Sequence, residues 1–202
     1  MYDLEPTELR VLGCLIEKQR TTPDVYPLSL NSLRGACNQS TNRDPVVDYD
    51  EATIRDALQR RSRRGWVRLA SGPGSRAVKY RHLFDDAMSL DGAEISVLAV
   101  LMLRGPQTPG ELKLRTERLH AFDSLAAVHE TLERLIDREL TVRHERRPGQ
   151  KEERYAHLLG GGSVEPATPL AAPAHAPGSL EARVARLEEQ ITELMDALDL
   201  GD

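Results

Sequence analysis

The fold is decided by residues 50–83, which read DEATIRDALQRRSRRGWVRLASGPGSRAVKYRHL. The first part predicts a helix over residues 51–64 that ends at Gly65, because glycine readily adopts the conformation that ends a helix. Residues 66–69 predict a strand, and a Gly/Pro turn and a second strand follow. A helix followed by a β-hairpin is the second part of a winged helix, in which the hairpin forms the wing.

In the second strand of the predicted hairpin, apolar or aromatic residues alternate with charged residues, as expected for a half-buried strand. Val78, Tyr80 and His82 should face inward, whereas Lys79 and Arg81 should face the solvent.

Two helices and a loop are predicted before this stretch. Residues 4–20 have apolar residues at helical spacing, and Pro6 suits the first helical position. Ser29 can cap a second helix, and residues 38–49 form a polar loop. The order helix, helix, helix, hairpin predicts that residues 1–86 are a first winged-helix domain.

Residues 88–158 repeat this plan, and we predict a second winged-helix domain over residues 87–159. Five residues of the first helix match residues that lie 86 positions later: Leu4, Glu8, Val11, Leu12 and Leu15 match Leu90, Glu94, Val97, Leu98 and Leu101. Further matches follow in the second helix, the third helix and the last strand. Thr108 begins a predicted capping box. The protein is therefore predicted to be mainly α with small β-hairpin wings, an α+β class built from two tandem winged helices.

The chain ends in a predicted linker and a short helix. Residues 160–178 are rich in Gly, Ala and Pro and have no core-forming pattern, which predicts a flexible linker. Residues 179–200 predict a short coiled-coil helix whose seam favours self-association, and a helix that folds back onto the body is the alternative. The seam consists of Leu180, Val184, Leu187, Ile191, Leu194 and Leu198.

Composition narrows the functional classes. No apolar run approaches the roughly 20 residues of a membrane span, and the N-terminus lacks the layout of a signal peptide, so a cytoplasmic location is expected. Cys14 and Cys37 have no CxxC or histidine spacing, which favours buried free thiols over a zinc site. No motif predicts a cofactor, a metal or a catalytic nucleophile, so we expect a protein that is not an enzyme.

The net charge of −5 is unevenly distributed along the chain. Residues 1–86 contain 14 Lys and Arg against 12 Asp and Glu, whereas residues 160–202 contain 2 against 8. The acidity is mostly in the tail, so it does not argue against a basic surface in the first domain.

Several strings resemble the YceH-type family, a group of uncharacterised bacterial proteins of tandem winged-helix fold. The most distinctive are TTPDVYPLSLNSL and CNQSTNRDP, and the likeness extends over nearly the whole chain. The resemblance implies the fold and a bacterial cytoplasmic setting, but no activity. A role like that of a transcription regulator follows by analogy with other winged helices.

The third helix of the first domain is the candidate nucleic-acid surface. At 100° per residue, Ile54, Ala57 and Leu58 share the inner face, with Arg61 along its edge and its charge in water. The outer face would enter the major groove, and wing cations would contact phosphates. The candidate nucleic-acid-binding residues are Arg55, Gln59, Arg60, Arg63, Arg76 and Lys79.

The leading hypothesis is thus a dimeric protein that binds double-stranded DNA through its first domain. The alternative is a tandem winged-helix scaffold that holds protein partners and binds no DNA. The equivalent face of the second domain is mostly acidic and would repel phosphate, so we expect it to pack on the first domain or hold a protein. That face consists of His129, Glu130, Glu133, Arg134 and Asp137.

The tetrapeptide Asn42-Arg43-Asp44-Pro45 belongs to the string shared with the family. Its residue types favour a structural turn. Arg43 could pair with Asp44 or Asp48, or project towards a ligand.

Overall fold

Seven α-helices and two small antiparallel sheets form the part of the chain that the structure, a computed structural model, describes: residues 2–70, 78–146 and 152–160. The fold class is α+β. The first half contains α1 (Pro6–Thr21), a 3₁₀ turn (Pro23–Val25), β1 (Leu28–Ser29), α2 (Leu30–Cys37), α3 (Glu51–Arg63), β2 (Val67–Leu69) and β3 (Lys79–His82). The second half contains α4 (Phe84–Met88), α5 (Gly92–Arg104), α6 (Pro109–Thr116), α7 (Leu125–Asp137), β4 (Thr141–His144) and β5 (Arg154–His157).

The starts of three helices carry residues that favour a helix start, either a proline or a side chain that accepts a hydrogen bond from the backbone. Pro6 is the first residue of α1, and Ser29 accepts a hydrogen bond from the backbone of Ser32 at the start of α2. Thr108 forms a capping box with Glu111 at the start of α6. These three predicted helix starts are confirmed.

A third strand joins the first hairpin, and the sequence analysis missed it. The sheet order is β1-β3-β2, with Leu28 opposite Tyr80. In the second half a single bridge joins Gln107 to Tyr155, at the positions that match Leu28 and Tyr80 in the repeat. Two residues are too few to show a strand pattern, so only the structure reveals this shared feature.

The two halves meet along α1 and α5, which cross closely at Gly13. A Cβ atom on Gly13 would lie 2.9 Å from Cγ of Leu103, a distance that real side chains do not tolerate. One core cluster contains residues of both halves, among them Ile16 of α1 and Leu98 of α5. The described residues belong to one compact unit, although the predicted domain boundary at residue 86 stays a prediction.

Each half ties its first helix to its third through a buried carboxylate. Glu8 is 2% exposed, and its Oε1 lies 2.8 Å from Nη2 of Arg61 on α3. Glu94, at the matching position of α5, lies 3.0 Å from Nη1 of Arg138, the residue that ends α7. Each glutamate also closes a capping box at the start of its own helix. The orientation of the third helix is therefore fixed from the first turn of the first helix.

Two predicted side-chain environments are wrong. Arg61 is 6% exposed, and its charge is neutralised by Glu8 and lies over the ring of Trp66 instead of in water. Val78 is 50% exposed, and it lies just before β3, which begins at Lys79. Tyr80 and His82 do face the core side, and His82 is buried.

No helix in residues 2–70, 78–146 and 152–160 is long and apolar enough to cross a membrane. The turn predicted at residues 71–75 lies outside the described residues, as do the linker after residue 160 and the coiled-coil seam from Leu180 to Leu198.

Replacing Arg61 with Leu is expected to lower the free energy of unfolding by about 3 kcal/mol, because Glu8 would be left buried without its partner charge. Urea denaturation would measure the loss. The matched control is Arg60→Leu, a neighbouring exposed residue, for which we expect a change within about 0.5 kcal/mol. Equal small changes in both variants would place the Arg61 charge in water after all.

His82 makes stability depend on pH. Burial lowers its pKa to about 4, against the opposing effect of Asp85, so the folded chain keeps His82 neutral. The unfolded chain protonates it near pH 6.5, so this contribution is full above that pH and is lost as the pH falls towards 4. Between pH 7 and 4.5 the wild type should lose about 2 kcal/mol more than His82→Gln. Parallel losses in denaturation curves would contradict the burial of a neutral imidazole.

Candidate nucleic-acid interface

The outer face of α3 is exposed, as its sequence predicts. The helix begins at Asp50, whose side chain accepts a hydrogen bond of 2.8 Å from the backbone of Thr53. Its inner residues Ile54, Ala57 and Leu58 are buried in the first-half core. Four of the predicted contact residues lie on the opposite face and are all exposed: Arg55, Gln59, Arg60 and Arg63.

The cations of this outer face are largely unneutralised. Arg55 approaches Glu51 only to 3.8 Å, with both side chains about half exposed, so that pair is weak. Arg60 and Arg63 have no ion pair within the described part of the chain. Asp56 lies between them, and Arg60 lines a polar groove with Asp56, Glu5 and Glu8 at the start of α1. The outer face of α3 is thus a solvated face on which three arginines stand beside a few carboxylates.

The hairpin adds a second cluster of cations. Arg68 of β2 lies directly opposite Arg81 of β3, and directly paired residues of an antiparallel sheet point to the same side. Lys79 lies two residues from Arg81 and therefore shares that side. Arg68 and Arg81 are exposed, and neither has a carboxylate partner among residues 2–70, 78–146 and 152–160. Two like charges thus face each other without an ion-paired carboxylate in the part of the chain that the structure describes.

The hairpin follows α3 through a tight turn. Gly65 has a φ of 73°, and the backbone N–H of Trp66 donates to the carbonyl of Arg61 at 3.0 Å. Arg68, the first cation of this side of the hairpin, is therefore only four residues after the exposed Arg64. Arg76, the other predicted wing contact, lies outside the described residues.

The loop before α3 is held by a buried arginine. Arg43 donates two hydrogen bonds to Glu17, at 2.6 and 3.1 Å, and a third to the carbonyl of Ala36 at 3.1 Å. Burial alone would raise the pKa of Glu17, but the hydrogen bond and charge of Arg43 hold it below its usual value. Asn42 has a φ of 61°, which suits a turn.

Arg43 therefore pairs with neither Asp44 nor Asp48 and reaches no solvent. The structural interpretation of residues 42–45 is confirmed. Arg10 supports the same loop, because its guanidinium donates to the carbonyl of Cys37 at 2.9 Å and to that of Pro45.

Comparison with known proteins places the chain in a family. The family model described as a protein of unknown function, DUF480, matches residues 4–150. The chain belongs to the DUF480 family. It is 44% identical over 205 residues to the UPF0502 protein YceH of Salmonella typhimurium, Salmonella typhi and Salmonella enteritidis, covering 98% of this chain and 95% of each relative. The resemblance to the YceH-type family is confirmed.

In this family member the third helix of the second half differs from α3. Glu130, Glu133 and Asp137 are exposed at spacings of three and four residues, so they form one acidic stripe on α7. His129 is exposed beside them. The predicted acidity of this face is confirmed.

The single arginine of α7 is turned towards α5. Arg134 lies 3.0 Å from Asp91 and 3.5 Å from Glu94, at the start of that helix. Arg134 also lies 3.6 Å from Glu130 of the stripe, so it neutralises part of that face, whereas Glu133 and Asp137 have no ion pair in the described residues.

Sequence reasoning missed Arg68 and Arg81 as site residues. The signal was present, because both alternate with inward-facing residues in short strands. That Arg68 lies directly opposite Arg81 depends on the register between β2 and β3, and the sequence alone does not determine this register. The described residues contain no group of three or more His, Cys, Asp or Glu side chains that could hold a metal ion.

The opposed arginines generate a stability prediction. Arg81→Gln should leave the free energy of unfolding unchanged or raise it by about 0.5 kcal/mol, because it removes the repulsion from Arg68. Arg118→Gln, at an exposed arginine of the second half, is the control and should change little. A loss of more than about 1 kcal/mol for Arg81→Gln alone would mean that Arg81 has a structural partner.

Proposed function

We propose that each half is a winged helix and that the first half binds double-stranded DNA. Its α3 would lie in the major groove and its hairpin would contact the phosphates, as in a transcription regulator of the bacterial cytoplasm. The order of helices and strands in each half supports the fold assignment. The observation that carries the function is the exposed arginines on the outer face of α3 and the opposed Arg68 and Arg81 on the hairpin that follows it.

Energetics favour an anionic partner for this surface. Folding ordinarily avoids directly opposed like charges on a sheet, yet the hairpin keeps Arg68 opposite Arg81. A duplex offers a phosphate every few ångströms and would turn this repulsion into attraction, with release of counterions. On α3, Arg60 and Gln59 carry the side chains that can form hydrogen bonds with base edges.

The cations are concentrated in the first half, which limits where DNA can bind. The matching helix of the second half shows carboxylates to the solvent and would repel a phosphate backbone. We infer that only one of the two halves contacts DNA.

A protein-interaction scaffold is the second candidate, and the acidic stripe of α7 favours it. Exposed Glu130, Glu133 and Asp137 would suit a basic protein surface. Self-association through the C-terminal seam, Leu180 to Leu198, is part of both proposals and concerns residues that lie outside the described part of the chain.

The DNA proposal is tested by fluorescence anisotropy of a labelled random duplex over a salt series. We expect binding by the wild type, with an affinity that falls steeply with salt. The variant Arg55→Glu, Arg60→Glu, Arg63→Glu should lose that binding, because three phosphate-attracting or base-reading cations become anions. Circular dichroism would check that the variant is folded.

The matched control reverses three exposed arginines of the second half: Arg118→Glu, Arg143→Glu and Arg146→Glu. It changes the net charge of the protein equally and should keep most of the affinity. Equal loss in both variants would mean that only total charge matters, and no binding by the wild type at low salt would reject the proposal in favour of the scaffold.

A further inference from the structure

The outer face of α7 has an apolar end and an acidic end. Leu125, His129, Glu133 and Asp137 recur every four residues and are all exposed, so they form one of the ridges with which helices pack. Leu125, the first residue of α7, is 45% exposed. Glu133 and Asp137 lie at the other end and have no ion pair in the described residues. No described residue neutralises the acidic end of this ridge.

The outer face of α3 has the same layout with the opposite charge. Like α7, the helix has 13 residues, and its exposed residues begin with Ala52 in the first turn. Its carboxylates, Glu51 and Asp56, lie in its first half. Arg60 and Arg63 are exposed in its last turn, without an ion pair in the described part of the chain. The end of α3 is thus cationic where the end of α7 is acidic.

The two outer faces do not cover each other within one chain, because both are exposed. A second copy offers the complement of each face. If α3 of one copy lies parallel to α7 of another, Ala52 meets Leu125, and the arginines of the last turn of α3 meet Glu133 and Asp137. Charge complementarity of this kind favours one partner and one orientation over others.

We propose that the outer face of α7 binds the outer face of α3 in a second copy of this chain, with the two helices parallel. The contact joins two different surfaces, and two copies related by a two-fold axis can make it twice. It does not rest on the proposed DNA binding. Both would nevertheless use the outer face of α3, so a duplex and a second copy should exclude each other there.

The contact is weak and sensitive to salt. Exposed ion pairs each contribute little, and salt screens them. Glu130 is already partly neutralised by Arg134, at 3.6 Å, so Glu133 and Asp137 provide most of the attraction. We therefore expect the contact in concentrated protein at low salt, and not in the dilute protein that suits measurements of DNA binding.

Hydrogen–deuterium exchange of the concentrated full-length protein, without DNA, tests the proposal. Exchange in α3 and in α7 should be about threefold slower at low salt than at high salt, because salt screens the ion pairs between the two copies. Dilution at low salt should remove the difference. Self-association through another surface would not slow both helices together.

Two charge-reversed variants make the test specific. One carries Arg55→Glu, Arg60→Glu and Arg63→Glu on α3, and the other carries Glu130→Arg, Glu133→Arg and Asp137→Arg on α7. Each variant alone should lose the slow exchange, because its two faces have the same sign. Mixing them should restore it, since each face then meets its opposite. The substituted peptides differ in mass, so the exchange of each variant can be followed separately in the mixture.

The matched control reverses three exposed acids of the second half that lie outside α7: Glu117→Arg, Asp123→Arg and Glu145→Arg. It should keep the wild-type pattern, and circular dichroism would check that each variant is folded. The wild-type comparison stands even if a variant fails to fold. Equal loss in the control, no recovery on mixing, or wild-type exchange in α3 and α7 that does not change on dilution would overturn the proposal.

Discussion

Each half of this protein depends on a buried carboxylate that joins the start of one helix to the end of another. Glu8 closes the capping box of α1 and pairs with Arg61 of α3, and Glu94 does the same for α5 with Arg138 after α7. Removing one partner would leave an uncompensated charge in the core, so the pairing strongly disfavours other orientations of the third helix. This constraint decides which side of α3 faces the solvent, and hence which side can meet a partner.

The rest of the architecture is arranged around that constraint. The close crossing at Gly13 brings α1 against α5, so that the two halves share core residues. Arg43 and Arg10 fix the loop that leads into α3. The halves have a similar order of elements but different surfaces, because α3 exposes Arg55, Arg60 and Arg63 whereas α7 exposes Glu130, Glu133 and Asp137. Arg134 of α7 pairs with Asp91 and Glu130. The two halves thus differ in the charge of their third helices, and this difference is the basis for proposing DNA as a partner of the first half only.

The sequence predicts the order of the helices and hairpins and the two faces of α3, since these follow from periodicity and from caps such as Pro6, Ser29 and Thr108. It does not predict β1, because a strand of two residues is too short to show a pattern. Arg61 shows the limit most clearly. Helical periodicity places it at the edge of the inner face, but whether its charge lies in water or against Glu8 is decided by a residue on another helix. Likewise, the opposition of Arg68 and Arg81 depends on hairpin register.

The central claim is that α3 and the hairpin present a nucleic-acid surface. Hydrogen–deuterium exchange of the full-length protein, with and without a random duplex at low salt, tests it most directly because it locates the contact on the chain. The account predicts slower exchange in α3 (Glu51–Arg63) and in the strands β2 and β3, with no change in α7 (Leu125–Asp137). Slower exchange confined to α7, or an unchanged pattern at duplex concentrations that saturate binding, would contradict it.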